Sequence, residues 1–324
     1  MIQTEQLLQT LQTEFDQSKY GDHPDELYEP IRYIMSLSGK RFRPLLTLLS
    51  ASIYDDNWQH AVKPAMAVEV FHNFTLMHDD IMDKAPLRRG KATVHEKWNA
   101  NTAILSGDVM LIRAYDLLLD IPKDLLRPVL ARFNQTAAEV CEGQQLDMNF
   151  ETRWDVTEKE YLEMIRLKTS VLLGFALELG GLLCGADERS AKMLYEAGEN
   201  MGIGFQLKDD LLDVYGDPEK FGKQVGGDII SNKKTFLLIE ALSKADMETK
   251  QELERWIEME KPDNQVKVKA VTEIYEKLNI RTLTQQKIDD YFARGIDCLE
   301  KLPVADDRKK VLLQFVHQLV EREK

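Results

Sequence analysis

Two short segments carry acids at helical spacing. Asp79-Asp80-Ile81-Met82-Asp83 and Asp209-Asp210-Leu211-Leu212-Asp213 share one form, with three aspartates in five positions. On a helix, positions i and i+4 share a face, so Asp79 aligns with Asp83 and Asp209 with Asp213. Stacked like charges oppose a helix by a few tenths of a kcal/mol per pair. A divalent cation between them removes that repulsion. An all-oxygen donor set suits Mg²⁺, a hard ion that also takes phosphate oxygens. Chance gives fewer than one such triplet in a chain with this much aspartate, and here there are two, each ending a long apolar run. The pairs Asp55-Asp56, Asp289-Asp290 and Asp306-Asp307 lack the third acid and read as solvated surface.

A site built on acids binds an anion only if cations complete it. Gly39-Lys40-Arg41-Phe42-Arg43-Pro44 puts three cations at a turn, and Arg88-Arg89-Gly90 closely follows the first acidic segment. Lys168-Thr169 interrupts an apolar stretch, Lys223 follows Gly222, and Lys233-Lys234-Thr235 follows the second acidic segment. Each alone reads as a solvated or snorkelling side chain. Together they suit phosphate oxygens, which Arg grips with a fork and Lys with a point charge.

Helices must position these groups. Apolar residues recur at helical spacing over 44–54, 61–82, 101–119, 159–184, 190–215, 234–244, 268–278, 284–300 and 307–322, after a first helix around Leu7, Leu11 and Phe15. Ser170 to Leu183 is apolar on more than one face, which marks a helix central to a bundle. No strand alternation or βαβ rhythm is present, and Pro and Gly fall mostly between the segments. The expectation is one all-α domain of ten or more helices over 1–324. The chain has 324 residues, a formal net charge of −13 and a pI near 5.1. That balance excludes a general nucleic-acid binder. Cys141, Cys184 and Cys298 match neither a disulfide framework nor a zinc spacing. The opening residues lack a leader's basic flank and apolar run, and no uncharged run reaches the length of a membrane span. A cytoplasmic location is the expectation.

The residues now on the page resemble those of trans-isoprenyl diphosphate synthases, the polyprenyl synthetase family. GKRFRP (39–44), Glu69-x-x-His72 with the following HDDIMD, RRG (88–90), GDVML (107–111), GQQLD (143–147), KTS (168–170), GFQLKDDLLD (204–213), GK (222–223), GGD (226–228) and NKKT (232–235) keep the family's order from about Gly39 to Leu238. The resemblance implies an all-α isoprenoid-synthase fold with the two aspartate motifs facing across a deep central cavity. It implies a homodimer and three Mg²⁺ ions, with Mn²⁺ as a substitute. It also implies a reaction on small isoprenoid diphosphates: an allylic diphosphate ionises, isopentenyl diphosphate attacks the cation, and a proton is lost. By resemblance Asp79, Asp83 and Asp209 ligate the metals, with Asp80, Asp210 and Asp213 ligating or backing them. Arg88, Lys168, Lys223 and Lys233 take the allylic diphosphate, and Lys40, Arg43, His72 and Arg89 take isopentenyl diphosphate. Thr169 and Gln206 stabilise the cation, Gln144 and Asp147 line the same region, Asp228 lies just outside, and Phe221 to Asn232 form a lid. Phe74, five positions before Asp79, with Thr75 and Phe71, forms the floor that sets product length. One aromatic there, rather than two, goes with a C20 product, geranylgeranyl diphosphate, ahead of C15 farnesyl diphosphate.

Three rivals are distinguishable. A di-iron bundle would use Glu69-x-x-His72 but needs a second such pair, which the other histidines do not supply. A class I terpene cyclase would make product from farnesyl diphosphate alone. A non-catalytic synthase subunit would usually have lost one aspartate motif. The mixed-sign end Glu321-Arg322-Glu323-Lys324 carries no assignment.

Overall fold

The computed structural model describes residues 3–37, 39–217 and 225–321. Among them the chain is all-α apart from one two-strand hairpin. In order the helices are α1 (Thr4–Gln17), α2 (Asp25–Ser36), α3 (Phe42–Tyr54), a 3-10 turn (Trp58–Ala61), α4 (Val62–Met82), α5 (Val94–Lys97), α6 (Ala100–Leu118), α7 (Lys123–Glu151), α8 (Glu158–Ile165), a π turn (Arg166–Ser170), α9 (Val171–Leu183), α10 (Glu188–Tyr215), α11 (Gly227–Ile230), α12 (Phe236–Lys244), α13 (Met247–Glu258), α14 (Asn264–Lys277), α15 (Ile280–Glu300) and α16 (Asp306–Glu321). None is long and apolar enough to cross a membrane.

The apolar periodicity located most of these, but α2, α5, α7, α11 and α13 were not among the expected segments, and the segment expected over 159–184 is divided by the π turn. Helices α2 and α7 contain proline, Pro30 and Pro128. Each proline is the sixth residue of its helix, past the four N–H groups that have no intrahelical partner, so it removes one helical bond and reads as a break. The hairpin, Leu87–Arg88 against Lys91–Ala92, is too short for alternation to reveal.

The chain forms two compact units. The first comprises Met1–Gln135, Leu172–Tyr195 and Leu299–Val316. Its centre is α4, buried on most sides through Ala65, Met66, Val68, Val70, Phe71 and Met77, and packed most extensively on α6. Asn99 caps α6 by accepting the Thr102 N–H. Gly107 on α6 gives α4 room, since a Cβ there would lie 2.2 Å from the His78 ring. The second unit comprises Thr136–Val171, Glu196–Cys298 and His317–Lys324. Thr157 and Glu160 start α8 as a reciprocal capping box. The π turn that follows lies between two glycines of neighbouring helices. A Cβ on Gly143 of α7 would be 2.2 Å from Lys168 N, and one on Gly202 of α10 would be 2.6 Å from Ser170 Cα.

Candidate active site

In the first unit the acids sit at the C-terminal end of α4. Asp79 lies in the last turn and Asp83 caps it, its N–H donating to Asp79 O at 2.9 Å. That end of a helix already carries partial negative charge, so carboxylates there call for a cation. The three acids divide by burial: Asp80 is 2 % exposed, whereas Asp83 is exposed and Asp79 half-buried. Lys84 takes a positive φ of 50° and turns the chain back, so that Arg88 reaches Asp80. The guanidinium grips that carboxylate with both arms, Nε to Oδ2 and Nη2 to Oδ1 at 2.8 Å each, and lies 3.7 Å from Asp79 Oδ2. Burial raises the Asp80 pKa, and Arg88 opposes the rise. The hairpin turn itself falls on Arg89 and Gly90, both at positive φ, as a tight two-residue hairpin requires.

A basic cluster lies on the same unit. Arg43 Nη1 is 3.1 Å from His72 Nε2. Arginine can only donate, so Nε2 accepts and the ring carries its proton on Nδ1. Burial, then Arg43, Arg89 and Arg88, push the His72 pKa well down and keep the ring neutral. Arg89 donates to Leu37 O at 2.9 Å and passes over Gly39, where a Cβ would meet the guanidinium at 2.7 Å. Beneath them Glu69 is buried and raised in pKa by desolvation, against Arg43, Arg41 and Arg89. Asn73 Nδ2 donates to Glu69 Oε1 at 3.3 Å. These contacts occupy both members of Glu69-x-x-His72 and remove the di-iron reading. Lys40 stacks 5.6 Å from the Phe42 ring centre. Phe71 is 1 % exposed and packs on Phe133 at 5.1 Å, while Phe74 is half-buried, 5.6 Å from Phe71 and 4.8 Å from His78. Thr75 is half-buried too, its hydroxyl donating to His72 O at 2.8 Å.

The second unit repeats the division of acids. On α10, close to its C-terminal end, Asp210 is 3 % exposed, Asp209 is exposed and Asp213 half-buried. The Tyr161 hydroxyl donates to Asp210 Oδ2, and Gln206 Nε2 donates to Oδ1 at 3.1 Å. Burial pushes the Asp210 pKa up to about 7, with Lys233 opposing and Asp228 adding to the rise. Since the Gln206 amide nitrogen is spent on Asp210, its Oε1 is turned to Thr169, whose hydroxyl donates to it at 3.3 Å. Lys168 Nζ meets Asp147 Oδ2 at 2.6 Å. Lys168 and Thr169 both sit in the π turn, a form common at functional sites. Asp213 holds the start of α11: Gly226 N donates to its carbonyl at 2.6 Å and Asp228 N to its Oδ2 at 2.8 Å. Lys233 follows Asn232, which is at positive φ and accepts from Lys267 Nζ at 2.5 Å. Lys223, with Phe221 and Gly222 of the expected lid, lies outside the described residues.

Within each unit the expected residues therefore converge: Arg43, His72, Arg88 and Arg89 with Asp79 and Asp80 in one, and Lys168, Thr169, Gln206, Asp210, Asp228 and Lys233 in the other. Sequence reasoning missed Tyr161, Glu69 as a buried acid under the arginines, and the Asn232–Lys267 contact. Tyr161 lies on the same inward stripe as Met164 and Ile165, which reads as plain core.

Comparison with known proteins agrees with this geometry. Residues 24–275 match the family described as Polyprenyl synthetase. A geranylgeranyl diphosphate synthase of Methanosarcina mazei is 38% identical over 302 residues, 93% of this chain and 91% of that protein. A geranylfarnesyl diphosphate synthase of Natronomonas pharaonis is 33% identical, over 92% of this chain and 91% of its own length. A crystal structure of a geranylgeranyl pyrophosphate synthase superposes with a TM-score of 0.94 at 46% identity, covering 100% of both chains. With the motifs in order, the fold shared and the match running through nearly the whole chain, this protein belongs to the polyprenyl synthetase family.

Proposed function

We propose that this protein is a short-chain trans-prenyltransferase that joins isopentenyl diphosphate to allylic diphosphates and stops at geranylgeranyl diphosphate. The observation that carries the reading is the shared division of the two aspartate motifs. In each, the middle acid is buried and held by neighbouring side chains, while the first acid keeps access to solvent at the carbonyl end of a helix. This donor set fits a hard divalent ion. Asp79, Asp83 and Asp209 would hold Mg²⁺, with Asp213 backing them and Asp80 and Asp210 orienting Arg88 and Gln206. When bound, the Mg²⁺ ions, three by family resemblance, supply positive charge to the leaving diphosphate.

The chain's own residues do the rest. By family resemblance Arg88, Lys168 and Lys233 take the allylic diphosphate; Asp80 orients Arg88 and Asp147 orients Lys168, each at hydrogen-bond distance. Positive charge fixed in place favours the departing anion more than the intact ester, so it lowers the barrier as well as binding. Arg43 and Arg89, with Lys40 and neutral His72, bind the second diphosphate; a neutral ring adds a hydrogen-bond donor without a further charge. Gln206 presents its amide oxygen, an acceptor that stabilises an allylic cation without giving up a nucleophile. Phe74 limits chain growth. A homodimer fits the apolar stripe of α6, where Ile104, Leu105 and Ile112 are 42%, 58% and 59% exposed.

The test is product analysis after incubating the chain with dimethylallyl and isopentenyl diphosphates and Mg²⁺. A C20 diphosphate is expected, and Asp79→Ala should lower turnover by orders of magnitude with helical circular dichroism retained. Failure to consume isopentenyl diphosphate, or release of a hydrocarbon from farnesyl diphosphate alone, would overturn the proposal.

A further inference from the structure

In the first unit, Asp55 at the end of α3, His60 in the 3-10 turn and Cys184 just after α9 present ligand atoms within 4.8 Å of one another. None of these residues belongs to the acidic or basic clusters above. His60 Nε2 lies 3.4 Å from Cys184 Sγ across 124 positions of sequence. A tetrahedral zinc centre with Zn–N of about 2.0 Å and Zn–S of about 2.3 Å has an N···S edge of about 3.5 Å. The other ring nitrogen, Nδ1, is 2.5 Å from Asn57 O. A ligating histidine typically spends its second nitrogen in this way, as a donor to a carbonyl that fixes tautomer and ring orientation.

The fixed tautomer raises a conflict. With the proton on Nδ1, Nε2 offers a lone pair, yet it faces Leu183 O at 3.1 Å. The Cys184 S–H, 3.4 Å away, can donate to that lone pair, so one thiol proton occupies the centre of the cluster. A borderline metal ion in place of that proton would also engage the Asp55 carboxylate and so use all three side chains.

We propose that Cys184 Sγ, His60 Nε2 and a carboxylate oxygen of Asp55 form a site for a divalent cation of the zinc class, which clips the end of α3 to the end of α9. On binding, the Cys184 S–H bond breaks, the sulfur–metal bond forms, and the proton leaves to solvent. Water completes the coordination.

The experiment titrates the full chain with Co²⁺ and follows the thiolate-to-cobalt charge-transfer absorption, which carboxylate sites cannot produce. The expected result is a band that saturates at one equivalent and collapses on adding Zn²⁺, as the order of metal affinities demands. It should be absent in Cys184→Ser and weakened at least tenfold in affinity in His60→Gln, while Cys141→Ser and Cys298→Ser keep it. Circular dichroism of the same samples confirms folding, and Cys184→Ser should retain wild-type prenyl transfer, so this result is independent of the activity proposed above. No band in the wild-type chain, or a band that survives in Cys184→Ser, would overturn the proposal and leave the thiol proton as the occupant.

Discussion

Replacing Gly143 with alanine tests whether packing of α7 on the π turn sets the position of Lys168. The added methyl would lie 2.2 Å from Lys168 N, 2.6 Å from its Cα and 2.8 Å from Leu167 C. All three atoms are backbone, so no rotamer change relieves the clash. Ordinary contact starts near 3.4 Å, so the π turn must retreat by about 1 Å or α7 must bend. Overpacking of this kind costs about 1–3 kcal/mol of stability. The functional cost should be larger. Lys168 reaches Asp147, one helical turn beyond Gly143 on α7, over only 2.6 Å. A displacement of about 1 Å at a group that must meet the leaving diphosphate costs about a hundredfold in rate. Urea denaturation followed by circular dichroism measures the first quantity, and single-turnover condensation measures the second. Wild-type turnover in a folded Gly143→Ala chain would refute the idea that this helix approach positions Lys168.

Asp80→Ala strips Arg88 of its two-armed partner and should cost about 3 kcal/mol in a urea melt, since one charge of a part-buried pair is left behind; a loss below about 0.5 kcal/mol would show the clamp to be dispensable. Phe71→Ala and Phe74→Ala should separate stability from specificity. The first removes a ring from the buried stack with Phe133 and should cost about 3–5 kcal/mol, whereas the second should lengthen the product, and unchanged product length would remove Phe74 from the floor. His72 is held neutral when folded, but in the unfolded chain it takes up a proton below a pH of about 6.5. The unfolded state then binds more protons, so stability should fall as pH drops through that value. His72→Asn should flatten this part of the melting-temperature profile; an unchanged slope would refute the assignment.

The sequence made α4 and α10 legible because their apolar residues recur around the helix and their acids end it. The motif order made the family legible. Helix α7 was harder, because Thr136 and Gly143 take core positions in its stripe and Pro128 reads as a boundary. The clamp between Asp80 and Arg88 depends on a reversal at Lys84, which no local preference announces. The π turn carries no compositional mark at all; it is seen in the bond from the Val171 N–H to Arg166 O, with Gly143 and Gly202 packed closely against it. Residue types thus disclosed what chemistry was present, while the fixing of each group came from contacts made across many positions.

The widened turn at Arg166–Ser170 has one more consequence. It holds one residue more than a regular helical turn would, as the Val171 N–H donating to Arg166 O records. Deleting a single residue from it would make α8 and α9 one regular rod and rotate one against the other by about 100°. Every side chain on α8, Tyr161 among them, would then come out of phase with α10. The turn therefore acts as an angular spacer, and the chain's length through it should tolerate substitution far better than insertion or deletion.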